Sequence, residues 1–229
     1  MTPPLVVLPA RWASKRFPGK MLQMIQGKPL IIWTLIATQK WEGVEVVVAT
    51  DDERILHVVQ GAGYQGMMTP SDLPSGTDRV AWVARKKNHG GAVVNWQGDE
   101  PALDWRAAEK ATGLLDRFDI GTLCAPYQGR IENENRVKVQ MSDRGEAIAF
   151  GRRPIAPPHW EHIGLYACRA AALEKWVSAP PTPNERRFNL EQLRAMELGL
   201  RIGVAPIPSA PVGVNERSDI DRLPSLAKL

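Results

Sequence analysis

Cysteine is scarce in this chain: Cys124 and Cys168 are its only two among 229 residues. They lie far apart without CxxC spacing, and the four histidines, His57, His89, His159 and His162, do not cluster with them. This pattern excludes a disulfide framework and a structural zinc site, and it predicts a reduced, cytoplasmic protein. Long apolar runs are missing as well. The N-terminal "LVVL" is too short for a signal peptide, and no later run approaches the ~20 residues of a membrane span, so the expectation is a soluble protein with no membrane partner. Excess charge is small, 29 basic residues against 25 acidic leaving +4. The cations are scattered outside one stretch and no aromatic residues interleave with a basic stripe. An anionic small molecule is therefore the expected partner, and nucleic acid is not.

What is present is an ordinary globular balance, 44% hydrophobic and 24% charged, in a length that one domain can fill. There is no internal repeat and no low-complexity tract. Apolar, β-branched runs recur at 5–9, 44–50, 64–69, 92–97 and 119–126 and read as buried parallel strands. Helical periods fall between them at 29–39, 52–61, 77–88 and 104–117, and "TDDE" (50–53) has capping-box spacing. That alternation predicts an α/β fold with a doubly wound, mostly parallel sheet that binds ligands at the carboxyl ends of its strands. After residue 130 the pattern changes. "RVKVQMS" and "GEAIAFG" read as a β-hairpin joined by "DRG", "HIGLYACR" as a further strand, and 169–177 and 188–199 as helices. "RIGVAPI" and a short helix near 218–226 follow. The organisation expected is a single domain over 1–229. Its nucleotide-binding half is 1–128, a sugar-binding and dimerisation region occupies 129–200, and 201–229 returns to the main sheet.

Three stretches carry chemistry. "PARWASKRFPGK" leaves the first strand at Ala10 and brings Arg11, Lys15, Arg16 and Lys20 onto a glycine-containing turn, which suits a polyphosphate over the strand end. It is not a P-loop, because GxxxxGK[ST] is absent, and a solvated basic loop is the plain alternative. "NWQGDEP" ends the fourth strand with Gln97 and Asp99, where a carboxylate can hold Mg²⁺ or simply shape a polar turn. "PSGTDR" supplies Ser75, Gly76 and Arg79. A serine or threonine there can cap the next helix, or the turn can read a base.

Taken together and in this order, "PARWASKRFPGK", "GKPLI", "VVVATDDERI", "PSGTDR", "VNWQGDEP", "HIGLYACR" and "LEQLRAMELGLRI" resemble the CMP-Kdo synthetases, the 3-deoxy-manno-octulosonate cytidylyltransferases, from residue 5 to about 223. The resemblance implies Mg²⁺-dependent transfer of CMP from CTP to a 2-keto-3-deoxy sugar acid, with release of pyrophosphate. It puts Arg11 and Lys20 on the triphosphate with Lys15 and Arg16 nearby, it puts Ser75, Gly76 and Arg79 by the cytosine, and it makes Ala10 a substrate-binding residue. Asp99 becomes a magnesium ligand with Gln97 beside the sugar, and Arg152, His162, Glu191 and Gln192 fall on the acceptor side. A guanidinium at Arg152 suits a carboxylate. Asn215 stands where the family has a second magnesium-binding aspartate; an amide oxygen can coordinate a hard cation without adding charge, or the residue can cap the last helix. A homodimer is implied too, with Trp160 and Trp176 as either interface or core residues.

Departures bear on the acceptor. The family's "FSRAPIP" is "FGRRPIAP" here, with Gly151 for serine and an added Arg153, the loop before "HIG" is short, and Phe188 replaces an acid ahead of "LEQ". A different anionic acceptor (an amino-substituted octulosonate, another ulosonate or a phosphonate) and an inactive nucleotide-binding or regulatory homologue are the competing readings.

Overall fold

The structure is a computed structural model that describes residues 2–14, 16–128, 133–153, 155, 157–158 and 160–228. Two compact units divide the chain, one made of 1–108 with 211–229 and the other of 109–210.

In the first unit, strand β1 (Leu5–Ala10) is buried at every position. A small antiparallel pair, β2 (Met24–Ile25) and β3 (Lys28–Pro29), precedes helix α1 (Leu30–Gln39), which is apolar nearly all round and correspondingly buried. β4 (Glu45–Thr50) pairs in parallel with β1, placing Thr50 opposite Ala10, and the short β5 (Gly66–Met68) pairs with β4. Helix α2 (Glu53–Gly61) joins them and buries Ile55 and Val59. Its cap is Asp52, whose carboxylate accepts from the Arg54 N–H, and not the expected Thr50, whose hydroxyl accepts from the Asp52 N–H instead. Helix α3 (Gly76–Lys86) returns the chain to β6 (Ala92–Asn95), which lies on the other side of β1 and parallel to it. The order β6-β1-β4-β5 therefore reverses direction at β1, and the crevice outside the carboxyl ends of β1 and β6 is a topological switch point. The first loop and the C-terminal segment are anchored together by Phe17, Ile25, Leu30, Trp33, Val214 and Leu226. The expected last helix is a 3-10 turn over Arg217–Arg222, capped by Glu216 rather than Asn215.

Helix α4 (Trp105–Gly113) spans the boundary between the units and ends before the expected 117, because 114–116 tighten into a 3-10 turn. In the second unit, β7 (Ile120–Pro126) pairs in parallel with β11 (Ile202–Pro206) but antiparallel with β10 (Trp160–Arg169), which corrects its reading as a purely parallel strand. The β8 (Lys138–Met141) and β9 (Ala147–Gly151) hairpin forms as expected, with β8 also pairing β10. Helix α5 (Ala170–Ser178) follows β10 and buries Trp176 completely, so that tryptophan is core. The single helix expected over 188–199 is instead α6 (Pro183–Phe188) and α7 (Glu191–Glu197), interrupted by Asn189 in a left-handed conformation (φ 52°).

Candidate active site

Three strand ends converge in the first unit. Gly19 adopts φ 69°, which a side chain rarely tolerates, and a Cβ there would stand 3.0 Å from the Trp12 indole. That tight turn delivers Lys20 inward. Lys20 is buried, pairs with Asp99 and donates to the Val214 carbonyl at 3.0 Å. Asp99 is brought to it by Gly98, where a Cβ would meet the Pro9 carbonyl oxygen and Ile31 at 3.1 Å. The strand-end glycine is thus a close-approach position between β1 and the turn after β6.

Asp51, at the end of β4, organises the other side. Its carboxylate accepts from the Trp12 N–H at 3.3 Å and from Arg79 Nη2 at 2.9 Å, while Arg79 Nη1 bonds the Thr69 hydroxyl. Arg79 has no exposed surface; burial pulls its guanidinium below the ordinary value, and Asp51 pulls it back up. Arg11 lies close enough to oppose it electrostatically. Arg11 Nη2 and Arg79 Nε are both buried with no hydrogen-bond partner among the described residues. Buried donors of this kind suit an anion. The Trp12 ring is covered by the Arg54 guanidinium, 3.3 Å from its centroid.

The remaining nucleotide-side candidates surround this centre. Ser75 is the cap of α3 and accepts from the Asp78 N–H at 3.2 Å, so of the two candidate caps it is the serine that serves. Gly76 lies against Pro9 and the Gln97 side-chain oxygen, and Gln97 donates to Asn95 at 3.1 Å. Arg16 donates to the Asn215 side-chain oxygen at 3.0 Å, while the Asn215 N–H bonds Asp219. Lys15 falls outside the described residues. No group of three metal-ligating side chains gathers among the described residues. Asp99 and the Asn215 amide offer a few hard oxygen donors, a set that fits a divalent cation completing its shell with phosphate oxygens and water.

The acceptor-side candidates occupy the second unit. Arg152 spends its guanidinium on three backbone carbonyls, those of Glu134, Phe188 and Asn189, at 3.1–3.2 Å. Its own carbonyl accepts from the fully buried Lys138 at 2.7 Å. Arg152 also lines a cavity of about 530 Å³ with Phe150, Arg153, Arg187 and Phe188. His162 stacks in an aromatic chain, 5.1 Å from Phe150 and 5.4 Å from Tyr166, which in turn meets Trp176 at 5.4 Å. Trp176 donates to the Glu191 carbonyl at 3.1 Å, Gln192 is buried, and the Tyr166 phenol is pushed well up by burial and then by the Glu191 carboxylate. Burial drives the His162 imidazole down to about 3, and it pushes both thiols up to about 12.

Sequence reasoning did not single out Asp51, Thr122 or Lys138. The first had a signal, a pair of acids directly after a strand; a threonine and a lysine inside alternating strands carried none.

The cytidylyltransferase family profile matches residues 5–202. The 3-deoxy-manno-octulosonate cytidylyltransferase of Rhodopseudomonas palustris (strain BisB18) is 40% identical across 96% of both chains. Its counterpart in Bradyrhizobium sp. (strain ORS 278) is 41% identical across 95% of this chain and 94% of its own. A solved CMP:2-keto-3-deoxy-manno-octonic acid synthetase complexed with CTP superposes with a TM-score of 0.91 at 34% identity, over 96% of each chain. With a doubly wound half that gathers cations and a carboxylate at its switch point, and with likeness of this extent along its length, the chain belongs to the cytidylyltransferase family and is a nucleotidyltransferase.

Proposed function

We propose that this enzyme transfers CMP from CTP to a 2-keto-3-deoxy sugar acid, 3-deoxy-manno-octulosonate, for cell-surface polysaccharide synthesis in the cytoplasm. The observation that carries the reading is the set of strand ends in the first unit, where Lys20 faces Asp99 and where one buried N–H of Arg11 and one of Arg79 have no hydrogen-bond partner among the described residues. In this reading Arg11 and Lys20, with Lys15 and Arg16, hold the triphosphate, Ser75, Gly76 and Arg79 form the base end, and Ala10 lines the substrate site. Gln97 lies by the sugar, and Arg152, His162, Glu191 and Gln192 frame the acceptor. The anomeric hydroxyl oxygen attacks the α-phosphorus, its proton leaves to solvent, the bond to the β-phosphate oxygen breaks, and pyrophosphate departs.

Negative charge builds on non-bridging oxygens during this step, so cations fixed in a poorly hydrated site lower the barrier more than any protein nucleophile. The Lys20 ammonium would exchange its carboxylate partner for phosphate oxygen as CTP enters. Asp99, with Asn215 nearby, would hold Mg²⁺, whose contribution when bound is neutralisation of that developing charge. Relatives of this extent act as nucleotidyltransferases, and a homodimer built from the 129–200 region belongs to the same reading.

The test is pyrophosphate release with CTP and Mg²⁺ against a panel of acids, with the CMP-sugar identified by mass. Release with 3-deoxy-manno-octulosonate at a kcat/KM well above the rest of the panel supports the reading. Preference for an amino-substituted octulosonate, another ulosonate or a phosphonate would reassign the acceptor, and no release with any acid would leave a nucleotide-binding homologue.

A further inference from the structure

The antiparallel ladder between β10 and β7 is interrupted. His162 and Ile163 face Cys124 and Leu123, then the register shifts, and Tyr166 faces Thr122. The residues between, Gly164 and Leu165, form a bulge, and bulges beside functional sites re-aim side chains. Here the Thr122 hydroxyl plugs it. Thr122 Oγ1 is 2.7 Å from the Leu165 carbonyl oxygen, 3.2 Å from that of Ile163, and 3.0 Å from His162 Nε2.

Counting protons decides what the imidazole is. Two oxygens 2.7 Å apart need a proton between them, carbonyls have none to give, and a hydroxyl has one. Thr122 therefore donates to backbone and can only accept from the ring, so the proton of the third contact sits on His162 Nε2. In a neutral imidazole the other nitrogen then carries a lone pair. We infer that Thr122 is a positioning residue that fixes His162 as the Nε2-protonated tautomer, presenting Nδ1 as a hydrogen-bond acceptor for a hydroxyl of the acceptor sugar, not as a cation for its carboxylate. Burial among Phe150 and Tyr166 opposes a second ring proton, in keeping with that geometry. The inference about the ring stands on the fold; the identity of its ligand rests on the proposed function.

Imidazole nitrogen-15 spectra of the whole enzyme at neutral pH read the tautomer without any turnover, with the His162 signal assigned by its loss in His162→Gln. A protonated Nε2 and an unprotonated Nδ1 are expected. A protonated Nδ1, or an imidazolium, would overturn the inference whatever the enzyme's substrate. Thr122→Val, close in shape but without the oxygen, should mix the tautomers and raise the acceptor KM about tenfold, the worth of one neutral hydrogen bond, with the CTP KM unmoved. Thr122→Ser should restore the single tautomer and recover most of that loss. Equal weakening of both substrates in Thr122→Val, or no recovery in a folded Thr122→Ser, would mean a role in folding alone. An acceptor analogue lacking the hydroxyl should be insensitive to Thr122→Val; full sensitivity would place the contact elsewhere on the sugar.

Discussion

The two groups of candidate residues use their cations in opposite ways. At the strand ends of the first unit, Lys20 and Arg79 face the carboxylates of Asp99 and Asp51, and two buried guanidinium N–H groups have no protein partner among the described residues. In the second unit, Arg152 gives its guanidinium to three carbonyls, and Lys138 gives its ammonium to two more, those of Asn133 and Arg152. A carboxylate can be exchanged for a phosphate with little movement of the chain. A carbonyl cannot be abandoned without loosening the turn that carries it. One set is poised for an incoming anion; the other holds a frame in shape.

The sharpest way to break this contrast is at Asp99. Asp99→Asn removes the carboxylate that faces Lys20 and the proposed hold on the metal, so turnover should fall about 10³-fold while the thermal midpoint stays near the parent's. Pyrophosphate release at saturating substrates and a circular dichroism melt measure both, and near-parent turnover would remove Asp99 from the chemistry. Asp51 tests whether a paired cation is structural as well. Asp51→Ala leaves a fully buried guanidinium short of its counter-charge, and it should cost about 3–5 kcal/mol in urea unfolding. An unchanged midpoint would mean that Arg79 finds another anion.

Arg152 lies at the centre of the frame. Arg152→Ala should raise the acceptor KM roughly ten- to a hundredfold and leave CTP alone. Hydrogen exchange then separates two causes. Faster exchange at Leu190–Gln192 means that the guanidinium acts by pinning the turn between α6 and α7, whereas unchanged exchange with the same KM effect means that it meets the acid directly. For His162 the sign follows from its depressed value, about 3 against an ordinary 6.5. Between those values the unfolded chain binds a proton that the folded one refuses, so the stability is full above 6.5 and is lost as pH falls toward 3, with a slope of at most about 1.4 kcal/mol per pH unit. His162→Gln should flatten that part of a urea-stability profile; an unaltered slope would assign it to other groups.

The smallest effect is expected at Asn215. Asn215→Asp adds a carboxylate near the proposed metal, but Arg16 already donates to that side chain and would follow the new charge. A fall of about two- to threefold in the Mg²⁺ concentration for half-maximal rate is therefore expected, in line with a largely screened, partly exposed charge. Identical titration midpoints would separate Asn215 from the metal.

Sequence alone determined the alternation of strands and helices, the polarity of the switch-point loops and the family, because period, turn chemistry and motif order are local properties written in consecutive residues. It placed Ser75 as a possible cap and β1, β4 and β6 as strands. It misread the helix across 188–199, because the capping box at Thr182 starts α6 earlier and the left-handed Asn189 ends it before α7 begins. Tertiary structure decided the partners. Lys20 meets Val214 across 194 residues and Arg16 meets Asn215 across 199, and no local pattern specifies pairs so distant. It also decided what each polar group is free to do: Arg152 is committed to carbonyls, and the one proton of Thr122 is used on the bulge of β10, which sets the proton on His162. Those outcomes depend on counting donors and acceptors in three dimensions, a sum that exists only once the chain has folded.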